Sequence, residues 1–118
     1  MIRKKQKSKQ IMQKNQDSNN ALKELDDLRQ CLDRLDLELI TVLKARMAVS
    51  LEIGKLKRTL NLPSLQDKRW KEACRRRELM ATELNLDCTF VARIFEIIHN
   101  ESLSIQNSTN LVSKQKTN

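Results

Sequence analysis

The chain has 118 residues and a formal net charge of +8, with 39% hydrophobic, 3% aromatic and 32% charged residues. One glycine, one proline and few aromatic residues argue against a β protein, which needs turn residues and strand-forming side chains. Leu, Lys, Arg, Glu, Gln and Ala dominate, so the sequence predicts a single all-α domain with little material for a core of its own.

The excess positive charge lies at the two ends of the chain. Residues 1–16 carry six basic side chains and no acid, residues 107–118 carry two basic side chains and no acid, and residues 17–106 are neutral. Neither end has apolar periodicity, so we predict a disordered basic tail over 1–16, a helical domain over 17–106 and a disordered polar tail over 107–118. A basic tail can bind nucleic acid, which supplies one alternative function.

The cysteines and the histidine do not form a metal-binding pattern. Cys31, Cys74 and Cys88 make no CxxC pair and His99 is the only histidine, so we predict no metal. Without a glycine-rich phosphate loop, we also predict no cofactor. The basic N-terminus has no apolar region behind it, and no run approaches the roughly 18 apolar residues of a membrane span. We therefore expect a cytoplasmic protein with reduced thiols and no membrane partner.

One long helix is predicted before the only proline. The polar residues 18–20 can cap its start, and the break before Pro63 ends it near Thr59. Leucine-rich apolar positions recur on it at spacings of three, four and their sums over residues 25–60. Forty residues span about 60 Å, far more than one small globule can cover, so the apolar stripe needs a second chain. Gly54 inside this helix predicts a close backbone approach or a slight bend.

Two cations interrupt the apolar stripe. Arg46 and Lys57 are eleven residues apart, which brings both to the same face within about 20°, with about 16 Å between them along the axis. A cation directed into a partly buried space needs an anionic partner, and no acid on the stripe supplies one. We infer that the partner is an anionic ligand.

Two shorter helices follow the break. Ser64, with Asp67 three residues later, resembles a capping box for a helix that runs to about Leu84. Asp87 can cap a third helix that runs to about Ser104.

The polar residues of these helices divide into two groups. Following the apolar face of the third helix leads to Ser102 and Gln106, so its inner face ends in two hydrogen-bonding groups. We interpret the run Arg75–Arg77 as a solvated face of the second helix, and Trp70 as a packing residue. The remaining cations and the neutral amide suit electrostatic catalysis or anion binding rather than proton transfer.

An ordered set of these residues resembles the all-helical class of chorismate mutase, the type II family. The resemblance covers about residues 22–106 and needs no gap. Each motif is weak alone, but their order and spacing match the family: Leu25-Asp-Asp-Leu-Arg29, Leu35-Asp36, Ala45-Arg46, Gly54-Lys-Leu-Lys57, Pro63, Arg69, Ser102 and Gln106.

The resemblance implies a fold and a reaction. The family forms an intertwined homodimer of three-helix subunits, and each active site draws on both chains. The implied activity is that of an isomerase of aromatic amino-acid biosynthesis in the shikimate pathway, which rearranges chorismate to prephenate. This reaction is a unimolecular pericyclic shift, so the enzyme holds the reactive conformer and stabilises the charge that develops.

The resemblance also implies roles for individual residues. Arg46 and the partner subunit's Arg29 grip the two substrate carboxylates, while Lys57 and Gln106 donate to the ether oxygen. Arg29 lies about 100° around the helix from Arg46, so it serves the neighbouring subunit's site rather than its own. Further substrate contacts are expected from Gln66, Arg69 and Ser102.

Two positions depart from the family pattern and keep other functions open. The family carries acids around the substrate's ring hydroxyl where this chain has Gln66 and Trp70. The same scaffold serves isochorismate-pyruvate lyase and a mutase acting on 4-amino-4-deoxychorismate, so these remain alternatives. A third alternative is a non-catalytic helical dimer that binds nucleic acid through its basic tails. The neutral body carries no helix-turn-helix signal, so nucleic acid is not the expected partner.

Overall fold

The computed structural model describes the backbone of residues 2–116 and the side chains of residues 4–108. Within these residues the chain forms three helices and no strand. They are α1 (Ile2–Thr59), α2 (Asp67–Glu83) and α3 (Cys88–Lys116). The predicted all-α class and the very long first helix are confirmed. Met1 and residues 117–118, the outermost parts of the two predicted tails, lie outside the described residues.

The start of α1 differs from the prediction. Residues 2–16, predicted to be disordered, are helical, and residues 18–20, predicted to cap the helix, lie inside it. Neither glycine nor proline occurs before Gly54, and Lys, Gln and Met extend a helix at little cost once it has formed. The predicted start near Ser18 is therefore wrong, because charge without apolar periodicity does not by itself interrupt a helix.

The connection from α1 to α2 has a defined turn. Asn61 takes a positive φ of 55°, its backbone N–H donates to the Arg58 carbonyl at 3.2 Å, and Leu62 N–H donates to the Lys57 carbonyl at 2.8 Å. This is a Schellman closure, in which a left-handed residue lets the last carbonyls of the helix find donors. Pro63 follows and prevents the helix from resuming, so the predicted end near Thr59 is confirmed.

The predicted capping box of α2 is wrong. Gln66 occupies the N-cap position without a side-chain cap bond, and the Ser64 hydroxyl lies 3.0 Å from Asn107 Oδ1 on α3. At the other predicted cap, Asp87 Oδ1 accepts the Thr89 backbone N–H at 2.9 Å, as expected. Ser64 therefore joins the loop to α3 rather than starting α2.

The third helix is longer than predicted. It runs to Lys116, past the expected end near Ser104 and through most of the segment 107–118 that was predicted to be disordered. This segment contains no glycine or proline, so nothing in its covalent structure stops the hydrogen-bond ladder. The predicted end is wrong for the same reason as the predicted start of α1.

The chain divides into two compact units, Met1–Val42 and Leu43–Asn118. The described part of the first unit consists of residues 2–42 of α1. The second unit contains the rest of α1 together with α2 and α3. Among the described residues, no helix is apolar over a stretch long enough to cross a membrane.

A single chain buries very little apolar surface. Among the described side chains the buried apolar residues are Ala73 and Ala81, at 9% and 3% exposure. Most large apolar side chains of α1 are exposed, for example Leu28 and Leu39 at 60% each, whereas Leu43, Met47 and Leu51 are half-buried. Helical stability in proteins comes mainly from packing of an apolar face, so this stripe is suited to a further surface.

Candidate active site

A cavity of about 400 Å³ lies within the second unit. It is lined by α1, the loop after it, α2 and α3. Six of the seven site residues predicted from the sequence line it together: Arg46, Lys57, Gln66, Arg69, Ser102 and Gln106.

Helix α1 supplies one wall of the cavity because of residue spacing. Arg46, Ser50, Ile53 and Lys57 follow one another at steps of four, three and four, which places them along one face of a helix. Arg46 and Lys57 both line this wall, which agrees with the prediction that they point in the same direction.

Arg46 is tied to α3. Its Nη1 donates to Ser102 Oγ at 3.1 Å, and its guanidinium carbon lies 5.9 Å from the centre of the Phe95 ring. The Ser102 hydroxyl donates in turn to Met47 Sδ at 3.8 Å. A guanidinium has five N–H donors, so one bond to Ser102 positions the group and leaves others for a ligand.

Lys57 is held by two neutral acceptors. Its Nζ donates to the Ser64 carbonyl and to Gln106 Oε1 at 3.1 Å. Burial lowers the pKa of Lys57 from its usual 10.5, because water is partly removed from the charged ammonium. An ammonium has three N–H donors, so one remains for the cavity after these two bonds.

Gln106 is fixed at both ends of its amide. Its Oε1 accepts from Lys57, and its Nε2 donates to Ser50 Oγ at 3.1 Å. Ser50 and Gln106 are each 5% exposed, so this bond is shielded from water. The amide nitrogen carries two N–H groups, and one remains available to a ligand. Lys57 and Gln106 therefore form an adjacent pair of donors.

Gln66 and Arg69 line the same cavity from the start of α2. Gln66 is half-buried and Arg69 is exposed, so the Arg69 side chain has the freedom to move toward a ligand in the cavity. Gln66 and Trp70, the two positions where the family carries acids, both line the cavity, and neither supplies an acid.

Arg29 lies in the first unit and is not among the residues that line the cavity. Its Nη1 is 4.0 Å from Asp26 Oδ1, and the two side chains are 67% and 72% exposed. An exposed pair at this distance contributes little and separates at little cost. The expected contribution of Arg29 to a neighbouring subunit's site stays a prediction.

The lining residues that were not predicted as part of the site include Ser50, Arg77 and His99. Arg77 corrects the interpretation of the Arg75–Arg77 run, because it is half-buried and lines the cavity while Arg75 and Arg76 are exposed. Two four-residue steps from Arg69 lead to Arg77, and one such step from Arg46 leads to Ser50, so helical spacing could have found both.

An aromatic cluster forms the wall around Arg77. Trp70 stacks on His99 with ring centres 3.9 Å apart and an interplanar angle of 28°. The Arg77 guanidinium carbon lies 4.2 Å from the centre of the Phe95 ring and 5.6 Å from that of Trp70. Trp70 therefore packs, as predicted, but it also lines the cavity.

The cavity is strongly electropositive. Its lining contains four cations (Arg46, Lys57, Arg69 and Arg77) and no Asp or Glu among the described residues. Burial lowers the pKa of His99, and Arg77, Arg46 and Lys57 lower it further by repelling its proton. Uncharged His99 therefore adds no further cation, and the arrangement suits binding of an anion of more than one charge.

Comparison with known proteins gives the family of the chain. Residues 28–107 match the family model described as Chorismate mutase type II, which is more than half of the chain. The chain belongs to the chorismate mutase type II family, whose named activity is an isomerisation of chorismate. The predicted resemblance is confirmed. A comparison with curated protein sequences finds no significant match.

Proposed function

We propose that the protein is a chorismate mutase that rearranges chorismate to prephenate in aromatic amino-acid biosynthesis. The observation that carries this proposal is the donor pair of Lys57 and Gln106, joined at 3.1 Å in a cavity whose described lining has four cations and no acid. Family membership supports the reaction class.

The reaction requires no proton transfer from the protein. One ether C–O bond of chorismate breaks while a C–C bond forms, and the electrons move in a closed ring within one molecule. Negative charge grows on the ether oxygen as the C–O bond lengthens. One remaining N–H of Lys57 and one of Gln106 are suited to that oxygen, and stabilising it lowers the barrier because the charge is larger in the transition state.

The cations have a separate task, which is to hold the substrate in its reactive conformer. Arg46 has free N–H donors beside Ser102 and is suited to one carboxylate through paired hydrogen bonds. The partner subunit's Arg29 is the proposed partner of the second carboxylate. Fixing both ends of a flexible dianion removes much of the entropic barrier to a unimolecular rearrangement.

The proposal includes a homodimer. The exposed leucines of α1 are the supporting observation, since a single chain buries no apolar side chain larger than alanine among those described. Pairing two such stripes would remove them from water and bring Arg29 of one subunit toward the site of the other.

A second candidate is a relative that acts on a modified chorismate. Gln66 and Trp70 favour it, because a neutral amide and an indole replace carboxylates that would accept from the ring hydroxyl. Isochorismate-pyruvate lyase activity fits this wall better than 4-amino-4-deoxychorismate mutase activity, since the cation Arg77 repels a cationic amino group.

The test is a product assay on three substrates: chorismate, isochorismate and 4-amino-4-deoxychorismate. The purified protein is incubated with each and the products are identified by NMR. We expect prephenate from chorismate as the reaction with the highest kcat/KM. Pyruvate and salicylate from isochorismate at a higher kcat/KM would replace this proposal with the lyase, and no product from any of the three would remove the enzymatic function.

A further inference from the structure

Arg77 is a cation of the cavity with a shielded N–H group that the described residues leave without an acceptor. Its guanidinium packs on Phe95 at 4.2 Å and faces Trp70 at 5.6 Å, and no described acid forms an ion pair with it. Its Nη1 is shielded from solvent and has no hydrogen-bond partner among the described residues. A shielded N–H without an acceptor is costly, so a ligand that supplies an acceptor gains by pairing with it.

The positive charges near Arg77 also favour binding of an anion. Burial lowers the pKa of Arg77, and repulsion from Arg46 is the next cause; Cys74 acts in the opposite direction, and Arg69 and Arg76 lower the pKa further. The repulsion from the neighbouring cations opposes the charged form of Arg77, and an anion that enters the cavity offsets this repulsion.

A dicarboxylate does not satisfy all the cations. In the proposed reaction the two substrate carboxylates pair with Arg46 and with the partner subunit's Arg29, while Lys57 serves the ether oxygen. Arg77 and Arg69 are then left without an acid, since none lines the cavity among the described residues. The positive charge of the site is therefore larger than a bound dianion can neutralise.

The aromatic wall gives Arg77 a defined position. Packing of the guanidinium over Phe95 restricts the position of Arg77, and Trp70 itself stacks on His99 with ring centres 3.9 Å apart. A planar guanidinium held on aromatic faces offers its edge to a carboxylate in two parallel hydrogen bonds. Little side-chain entropy is lost when a ligand binds a group that is already ordered.

We propose that Arg77 is a third acid-binding residue of the cavity, which makes the site select ligands that carry one carboxylate more than the dicarboxylate substrate. Such tricarboxylates compete with the substrate for the same cavity. The inference deepens the proposed function and rests on it for the placement of the first two carboxylates.

Trp70 provides a direct readout of binding. It is the only tryptophan of a chain without tyrosine, and it contacts both Arg77 and His99. Its fluorescence is titrated with glutarate and with tricarballylate at pH 8 and constant ionic strength. Tricarballylate is glutarate with one added carboxylate, so the ratio of the two affinities isolates the third acidic group.

We expect tricarballylate to bind the wild-type protein about tenfold more tightly than glutarate, as for one additional hydrogen bond to a charged group. Arg77→Gln should remove most of this preference with little effect on glutarate. Arg76→Gln, which removes the same charge from an exposed neighbour on α2, should keep it. Arg77→Met preserves much of the packing on Phe95 and should lose the preference as Arg77→Gln does.

Two results would overturn the inference. One is equal affinity of the two acids for the wild-type protein, and the other is an unchanged preference in the two Arg77 variants. Either result, together with normal turnover of chorismate, would leave the proposed function standing. A clear preference for tricarballylate in a protein that does not convert chorismate would contradict only the proposed function.

Discussion

Gly54 of α1 and Gln106 of α3 are in direct contact. A Cβ atom on Gly54 would lie 2.8 Å from Gln106 Cγ and 3.3 Å from its Cα. Carbon atoms do not approach this closely without displacement, so the absence of a side chain at Gly54 lets the start of the Gln106 side chain occupy this space. The close approach predicted from a lone glycine inside a helix is confirmed, and it places the amide of Gln106 against Lys57.

Gly54→Ala should therefore reduce activity through Gln106. The added methyl group pushes Gln106 away and lengthens its 3.1 Å bond to Lys57. Overpacking costs about 1–3 kcal/mol, while alanine gains about 1 kcal/mol in helix propensity, so the thermal midpoint should change little or fall by a few degrees. We expect kcat to fall by roughly tenfold, measured by steady-state kinetics on chorismate.

The double variant Gly54→Ala with Gln106→Ala tests the cause of this loss. Removing Cγ of Gln106 relieves the closest contact, so the two substitutions should be non-additive in stability. Additive stability changes, or full activity of Gly54→Ala, would contradict the packing argument.

The pKa of Lys57 predicts an alkaline loss of activity. Burial lowers this pKa below 10.5, and Lys57 must be protonated to donate to the ether oxygen. The kcat/KM should be constant below the lowered pKa and fall as the pH rises through it. A bound dianion favours the charged form, so the decline in kcat should occur at higher pH than the decline in kcat/KM.

This decline is separable from unfolding. Folding lowers the pKa of Lys57, so the unfolded chain binds more protons and the free energy of unfolding contributed by this group rises with pH. Thermal midpoints should therefore not follow the kinetic decline. The guanidinium of Lys57→Arg stays charged at high pH. If kcat/KM of this variant declines at the same pH as that of the wild type, the titrating group is not Lys57.

Trp70→Glu should improve the use of chorismate. A carboxylate at this position can accept from the ring hydroxyl, whereas indole can only donate. A charge-assisted hydrogen bond is stronger than a neutral one, so kcat/KM on chorismate should rise by roughly tenfold at most. Gln66→Asp should add less, because Gln66 already offers an amide oxygen. Reduced chorismate turnover in both variants, with isochorismate strongly preferred by the wild type, would identify a specialised lyase.

Mixed dimers test whether the site is shared between subunits. Arg29→Ala and Lys57→Ala variants, each inactive alone, are unfolded together and refolded. Each hybrid then has one site with Arg29 from one chain and Lys57 from the other, so roughly a quarter of all sites should be intact after random pairing. We expect a corresponding recovery of kcat per site.

A matched pair of variants provides the control. Arg46 and Lys57 line the same cavity of one chain, so hybrids of Arg46→Ala with Lys57→Ala contain no intact site and should recover nothing. Recovery in this control, or none in the Arg29 mixture, would contradict the shared site.

The sequence predicts the fold well where side chains act locally. Pro63 and Asn61 end α1 through backbone chemistry that depends only on neighbouring residues, and Asp87 caps α3 in the same way. Ser64 was misassigned because a capping-box pattern competes with a bond to Asn107, which is distant in sequence. The outer ends of α1 and α3 were missed because low apolar periodicity resembles disorder even where no residue stops a helix.

The site was predicted in part. Helical spacing alone predicts that Arg46 and Lys57 point in the same direction. The contact between Gln106 and Lys57 joins residues 49 positions apart, so it was expected only from the family resemblance. Arg77 was missed because three consecutive arginines suggested a solvated face. Only tertiary packing separates Arg77, which lies on Phe95, from its exposed neighbours.

The central claim is that the cavity around Lys57 rearranges chorismate, and kcat/KM for prephenate formation by alanine variants tests it most directly. Lys57→Ala and Arg46→Ala should each lower it by ~10²–10³, the loss expected for one electrostatic stabiliser, with unchanged helical circular dichroism. Lys55→Ala, which removes an exposed lysine paired with Glu52, should stay within about twofold of wild type. Near-wild-type formation of prephenate by either Lys57→Ala or Arg46→Ala would contradict the account.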